Sequence, residues 1–304
     1  MLESKLVIKP PRLKRGDKIG VISPAGPVNE SDLQPGLKIL RSSGFEVHLG
    51  PHVYSSGAYL AGDDEVRLRD LHNMFRDPEI DAVFCARGGY GSPRLLDMID
   101  YDLIKENPKI LVGYSDITAL LMAVHGKTGL ITFHGPMVRE LPKNKSRNWG
   151  SLLRLLSSSQ SLKLGLTEKT ALVPGSAKGP LIGGNLSLIC NLLGTPFLPS
   201  LGGCILFIEE RKEPIYRLDR MLNHLALSGE LKRLSGLIAG QFEGCGDTAA
   251  INGLLMELVS DLEIPLATGL PVGHGPENIA LPLGAVAVLD TNQMTLSITE
   301  ACVM

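Results

Sequence analysis

Between Asp17 and His134 the chain alternates five short apolar runs with four amphipathic stretches, and no other feature narrows its fold as far. The runs Lys18–Ser23, Glu46–Leu49, Ile80–Ala86, Lys109–Gly113 and Leu130–Phe133 have strand length. The intervening Ser31–Ser43, Asp63–Phe75, Ser92–Ile99 and Asp116–Val124 read as helices. Leu68, Leu71 and Phe75 recur at helical spacing, as do Ile117, Leu120, Leu121 and Val124. Ser92-Pro93 offers an N-cap followed by proline at the first helical position. Alternation of this kind demands right-handed crossovers and a parallel sheet covered on both faces, an α/β unit.

The 304 residues are enough for two domains. Beyond Lys178, Gly203–Ile208, Ser235–Gln241, Gly284–Leu289 and Met294–Thr299 read as strands, and Pro214–Leu227 and Ala249–Asp261 as helices. The last strands are consecutive, so a mixed α/β or α+β domain is expected rather than a second doubly wound sheet. Arg139–Lys178 is different in kind. It carries Trp149, a serine-rich tract at Ser157–Ser161, and a strong excess of basic over acidic residues. A solvated connection is expected there; the sharper alternative is a positive rim that attracts an anionic substrate. The expected organisation is residues 1–140, a basic linker at 141–178, and a second domain at 179–304.

Composition removes several function classes. A formal net charge of −2 gives no basic excess for nucleic-acid binding. Cys85, Cys190, Cys204, Cys245 and Cys302 are scattered without CxxC spacing, which argues against a disulfide framework or a zinc site and suits a reducing compartment. The N-terminal Met1–Pro11 lacks a signal-like apolar core. The longest uncharged stretch, Gly179–Ile208, is repeatedly broken by glycine and proline, so no membrane span is expected. A soluble cytoplasmic protein follows, with no metal or cofactor implied.

Candidate chemistry starts at Lys109–Thr118, where an apolar strand runs through Gly113-Tyr-Ser-Asp116 into a helix. A serine at such a strand-to-helix turn raises its hydroxyl above the sheet edge and has helix N-terminal N–H groups beside it, the logic of a nucleophile elbow. Ile117 replaces the second glycine of GxSxG, and a simple Ser-Asp helix cap is the alternative. Arg87-Gly-Gly-Tyr-Gly91 follows another strand and reads either as a backbone oxyanion donor or as a tight turn. Of the seven histidines, His72 and His224 fall in helices, and Gly50-Pro51 breaks the four-residue spacing of His48 and His52. His274, between Gly273 and Gly275 in a loop, is the best-placed base. Glu209 and Glu210 end the apolar strand Gly203–Ile208 on opposite sides of the pleat; either a held carboxylate or an exit to solvent fits.

These blocks resemble the LD-carboxypeptidases, a serine-peptidase family that includes the microcin C immunity peptidases. The resemblance rests on Gly113-Tyr-Ser-Asp116, Arg87–Gly91, Gly183-Gly-Asn-Leu186, Leu206–Glu210, Tyr216–Arg220 and Gly273-His274, in that family's order, with Ile22–Gly26 and Ala280–Ala285 at the two ends. It implies an N-terminal Rossmann-like parallel-sheet domain, a smaller C-terminal mixed α/β domain, and an active site between them in a homodimer. It further implies Ser115 as nucleophile, His274 as general base and Glu209 as the orienting carboxylate. The backbone of Asp116, Gly88 and Gly89 would receive the oxyanion. The implied reaction is release of terminal D-alanine from murein tetrapeptides. For the substrate's carboxylate, Gly183, Gly184, Asn185, Tyr216 and Arg217 are candidates, Arg217 equally fitting an interface ion pair. Cleavage of peptidyl or aminoacyl nucleotides is the alternative reaction, and closure of two lobes on an anion without turnover is the alternative from a different class.

Overall fold

The computed structural model describes residues 6–158, 161–167 and 169–304. Residues 1–5 of the N-terminal stretch, Ser159 and Gln160 of the serine-rich tract, and Glu168 of the basic segment lie outside the described residues. The first half runs β1 (Lys18–Ile22), α1 (Glu30–Ser42), β2 (Glu46–Leu49), α2 (Asp64–Arg76), β3 (Ala82–Cys85), α3 (Tyr101–Glu106), β4 (Ile110–Gly113), α4 (Thr118–Thr128) and β5 (Thr132–His134). There follow α5 (Lys145–Ser157), β6 (Leu162–Gly165), β7 (Ala171–Val173), β8 (Ser176–Asn185), α6 (Leu186–Leu192), β9 (Ile205–Arg211), α7 (Ile215–Leu227), β10 (Gly236–Glu243) and α8 (Thr248–Val259). The chain closes with β11 (Leu266–Ala267), β12 (Leu281–Leu283), β13 (Val286–Asp290) and β14 (Thr295–Ile298).

Among the described residues the strands form two sheets. In the first, ordered β12-β5-β4-β3-β1-β2, strands β1 to β5 are parallel, and β12 comes back from the far end of the chain to pair antiparallel with β5. The chain steps outward from β1 to β2 and then crosses to β3, so strand order reverses between β1 and β3. Crevices beside such reversals, at the carboxyl ends of the strands, are where open α/β sheets bind ligands. The second sheet, ordered β6-β14-β13-β8-β9-β10-β11-β7, is mixed: β8, β9, β10 and β11 run parallel and the flanking strands antiparallel.

Helix α4 joins the two. Its expected stripe of apolar residues is instead a helix buried on every side from Thr118 to Val124, because it packs between β4 and β5 on one flank and β8 and α6 on the other. Its expected first turn is separate, a 3-10 turn at Ser115–Ile117. Ser92–Met98 is likewise a 3-10 helix, and Ser92 is not its cap: the hydroxyl turns to the Asp116 carbonyl. The short α3, capped by the Asp100 side chain on the Leu103 N–H, was not anticipated.

The basic segment is more than a connection. It holds α5, β6 and β7, and Trp149 of α5 is buried against Phe45 and Phe84 with its Nε1 donating to Ser43 Oγ. The uncharged stretch from Gly179 carries most of β8, α6 and the start of β9, and no helix among the described residues is long and apolar enough to cross a membrane.

Candidate active site

Strand β4 ends at Gly113, Tyr114 continues extended, and Ser115 then takes φ +63°, a conformation that costs a non-glycine residue roughly 1–3 kcal/mol. The strained turn lifts Ser115 to the carboxyl edge of the sheet, at the start of the turn leading into α4. The Asp116 carboxylate does not face the hydroxyl. It accepts the N–H groups of Ser92 (2.8 Å) and Gly91 (3.3 Å), tying the loop after β3 to the turn after β4. That loop passes so close that a Cβ on Gly88 would stand 3.1 Å from Ser115 Cβ. Gly88, Gly89 and the start of the Ser115–Ile117 turn therefore surround the hydroxyl with backbone.

The second sheet brings the other two groups. β9 carries Glu209 inward to complete burial, while Glu210, one pleat on, turns away to accept Asn185 Nδ2 (2.8 Å), Ser187 N (2.8 Å) and Ser187 Oγ (2.7 Å). His274 Nδ1 lies 2.6 Å from Glu209 Oε2, and its Nε2 lies 3.0 Å from Ser115 Oγ. An ionised carboxylate only accepts, so Nδ1 carries the proton and Nε2 is free to take the serine's. Burial pushes the Glu209 carboxyl up, and its bond with His274 counters that in part. The His274 loop is held by side chains the sequence did not flag: Gln241 Oε1 accepts Gly275 N–H (2.7 Å), Asn278 Oδ1 accepts Gly273 N–H (3.0 Å), and Asn148 of α5 accepts Asn278 N–H (2.9 Å). Gly273 has φ +123°, and a Cβ there would sit 2.8 Å from Glu209 Oε2, so only glycine lets the loop approach the carboxylate.

Ser115 and His274 open onto a cavity of about 240 Å³. Its described lining includes four cationic side chains, Arg87, Arg139, Lys143 and Arg211, and one carboxylate, Glu140. Arg139 and Lys143 come from the basic segment, so part of that segment does form a positive rim. Burial, with Arg139 nearby, lowers the Arg87 pKa from its usual value. Such a site favours an anionic ligand.

The sequence's candidates for carboxylate binding lie elsewhere. Gly183 and Gly184 are buried between sheet and helix: a Cβ on Gly183 would stand 1.8 Å from Phe207 O and one on Gly184 2.5 Å from Thr118 Oγ1. Asn185 is buried, caps α6 through Leu188 N–H and holds Glu210. Tyr216 and Arg217 are exposed on α7, Tyr216 against Arg220 and Arg217 paired with Glu213 at 3.2 Å, and neither lines the cavity. These five build the domain contact and the α7 surface.

Residues 19–135 match the model of the LD-carboxypeptidase N-terminal domain and residues 178–289 that of the LD-carboxypeptidase C-terminal domain. The chain is 42% identical over 296 residues to a probable murein peptide carboxypeptidase of Bacillus subtilis, covering 94% of this chain and 93% of that protein. This chain belongs to the LD-carboxypeptidase family. The murein tetrapeptide carboxypeptidase of Pseudomonas aeruginosa is 36% identical, with 91% of this chain and 94% of that protein covered. Among solved structures, the microcin C7 self immunity protein MccF in complex with aspartyl sulfamoyl adenosine superposes with a TM-score of 0.90 at 28% identity, covering 98% of this chain and all of that one. As an LD-carboxypeptidase the protein is an enzyme of the serine-peptidase type, which removes the reading of a binding protein without turnover. Among the described residues no group of three or more histidine, cysteine or acidic side chains is placed to hold a metal ion.

Proposed function

We propose that this LD-carboxypeptidase releases the terminal D-alanine of murein tetrapeptides in cytoplasmic peptidoglycan recycling, acting as a homodimer. The observation that carries the reading is the continuous Glu209–His274–Ser115 chain opening onto a cationic cavity. Ser115 Oγ attacks the carbonyl that bears the D-alanine nitrogen while His274 Nε2 takes its proton. The tetrahedral intermediate collapses, the C–N bond breaks, and the imidazolium returns the proton to the leaving amine. Water, deprotonated by His274, then hydrolyses the acyl-serine. Glu209 holds the imidazole tautomer and stabilises the imidazolium. N–H groups of Asp116, Gly88 and Gly89 receive the oxyanion, and losing one such donor costs about 2.7–4 kcal/mol of transition-state stabilisation. Arg87 and Arg211 take the free carboxylate that distinguishes a carboxypeptidase substrate.

The test is mass spectrometry of a purified tetrapeptide incubated with wild type and with Ser115→Ala. Loss of one alanine with the first and none with the second is expected; equal release by both ends the proposal. One observation favours the alternative substrate. Tyr59 and Tyr90 are exposed and in ring contact at 5.6 Å, with Tyr90 directly after Gly89, a surface on which a nucleobase stacks. Faster cleavage of an aminoacyl sulfamoyl adenosine than of the tetrapeptide would establish that reading instead.

A further inference from the structure

Glu140 closes the 3-10 turn Val138–Glu140, and its Oε1 accepts the Tyr114 hydroxyl at 2.7 Å. Lys143 Nζ stands 3.7 Å from the same oxygen, but that lysine side chain is 67% exposed and such pairs are weak. Oε2 is closed off from solvent and has no donor. A buried acceptor left unpaired costs about 1–3 kcal/mol, more when charged, and nothing in the surrounding fold recovers it. Tyr114 is neutral, so apart from Lys143 the charge is met only through space by Arg87, with no hydrogen bond between them. The Tyr114 phenol is buried beside Glu140, both of which raise its pKa, so it stays a neutral donor.

The rest of the cavity is cationic, and Arg139 already has its counter-ion in Asp32 at 3.3 Å. A carboxylate set among arginines and bonded to a neutral phenol is an unusual choice if the ligand is only an anion. We propose that Glu140 determines specificity at this site by taking a primary ammonium on the side chain of the residue that supplies the scissile carbonyl. The terminal torsion of a glutamate is soft; turning Oε2 to the cavity draws Oε1 off the Tyr114 hydroxyl, and the bond to the ammonium offsets that loss. Tyr114 separates Glu140 from Ser115, and Met137, 3% exposed, lies against Gly88 and lines the same cavity. A long aliphatic arm ending in an ammonium, as in lysine or diaminopimelate, fits that course, with its methylenes on Met137. Diaminopimelate adds a carboxylate beside the ammonium, which Lys143, exposed on the cavity rim, is placed to meet.

The inference rests on the tetrapeptide reading above and deepens it. The experiment measures kcat/KM for release of D-alanine from three tetrapeptides that differ only in the third residue: diaminopimelate, lysine or norleucine. Wild type is expected to prefer each ammonium-bearing peptide over norleucine by at least about tenfold, and Glu140→Gln to reduce that ratio below about threefold. Equal rates on lysine and norleucine in wild type, or an equal loss on all three in Glu140→Gln, overturn it. Calorimetric binding of the lysine and norleucine peptides to Ser115→Ala, with and without Glu140→Gln, reads the same preference without turnover. Should wild type release D-alanine from none of the three, the tetrapeptide reading fails, and the binding comparison still decides the role of Glu140.

Discussion

The Asp116 carboxylate accepts the Ser92 N–H at 2.8 Å while the Ser92 hydroxyl donates to the Asp116 carbonyl at 2.5 Å. This reciprocal pair ties the Gly88–Gly89 loop to the Ser115 turn, and with it the distance between the proposed nucleophile and its proposed oxyanion donors. Ser92→Ala removes one buried hydrogen bond to the Asp116 carbonyl, which keeps the Thr118 N–H, and costs about 0.5–1.5 kcal/mol of stability. It also loosens a geometry on which rate depends steeply. We expect kcat to fall about tenfold or more with KM little changed, read by steady-state kinetics beside denaturant unfolding. A folded Ser92→Ala enzyme with wild-type kcat would show that the clamp is not needed.

The proposed orienting carboxylate, Glu209, is held at a cost in stability. Its carboxyl is fully buried, one oxygen has no donor, and burial raises its pKa. Glu209→Gln removes the buried charge but presents His274 Nδ1 with an amide that also stabilises the wrong tautomer. Activity should drop by roughly 10³–10⁴, as expected for loss of the orienting carboxylate in a triad. The melting temperature should hold or rise. A large drop in melting temperature would mean that the carboxylate stabilises the fold as well.

His134 lies behind the site, between the rings of Tyr114 and Phe207, with both ring nitrogens unpartnered. Burial, with His274 nearby, pushes its pKa from 6.5 down to about 3. The folded protein thus keeps it neutral where the unfolded chain binds a proton. Between about pH 6.5 and about pH 3 the unfolded state holds more protons, so this group makes stability fall with falling pH, by about 1.4 kcal/mol per pH unit at most. His134→Phe, which fits an aromatic slot, should flatten that slope. Parallel slopes for wild type and variant between pH 4 and 6 in urea unfolding would contradict it.

That Ser115, His274 and Glu209 meet was legible because each sits where local chemistry is conspicuous: a serine at a strand-to-helix turn, a histidine between glycines, a carboxylate ending an apolar strand. The parallel sheet was legible from alternation alone. Strand β8 was not, since Gly179, Pro180, Gly183 and Gly184 mark a loop in any local reading, and only the close approach of Gly203, Phe207 and Thr118 explains the three glycines. The cavity wall was hidden for a different reason. Arg87, the adjacent pair Arg139-Glu140, and Arg211 come from three separate segments, and a pocket assembled by tertiary packing leaves no periodic trace in sequence. Tyr216 and Arg217 do not line the cavity: the order of the matching blocks says nothing about which face of α7 meets it.

Arg87 and Arg217 therefore make a discriminating pair. Arg87 is half-buried in the cavity wall, its Nη1 already donating to Pro27 O at 2.9 Å, and its charge is made costlier by burial and by Arg139. A substrate carboxylate would offset that cost, and a charge-assisted hydrogen bond contributes about 1.5–3 kcal/mol. Arg87→Ala should raise KM at least about tenfold, whereas Arg217→Ala, exposed and paired with Glu213, should stay within about twofold of wild type. The cause is separable from general damage by amidating the C-terminus of the tetrapeptide. Wild type should lose its advantage on the amide, and Arg87→Ala should process amide and free acid alike. If Arg87→Ala still discriminates acid from amide as strongly as wild type, the carboxylate is read elsewhere, and Arg211 becomes the residue to replace.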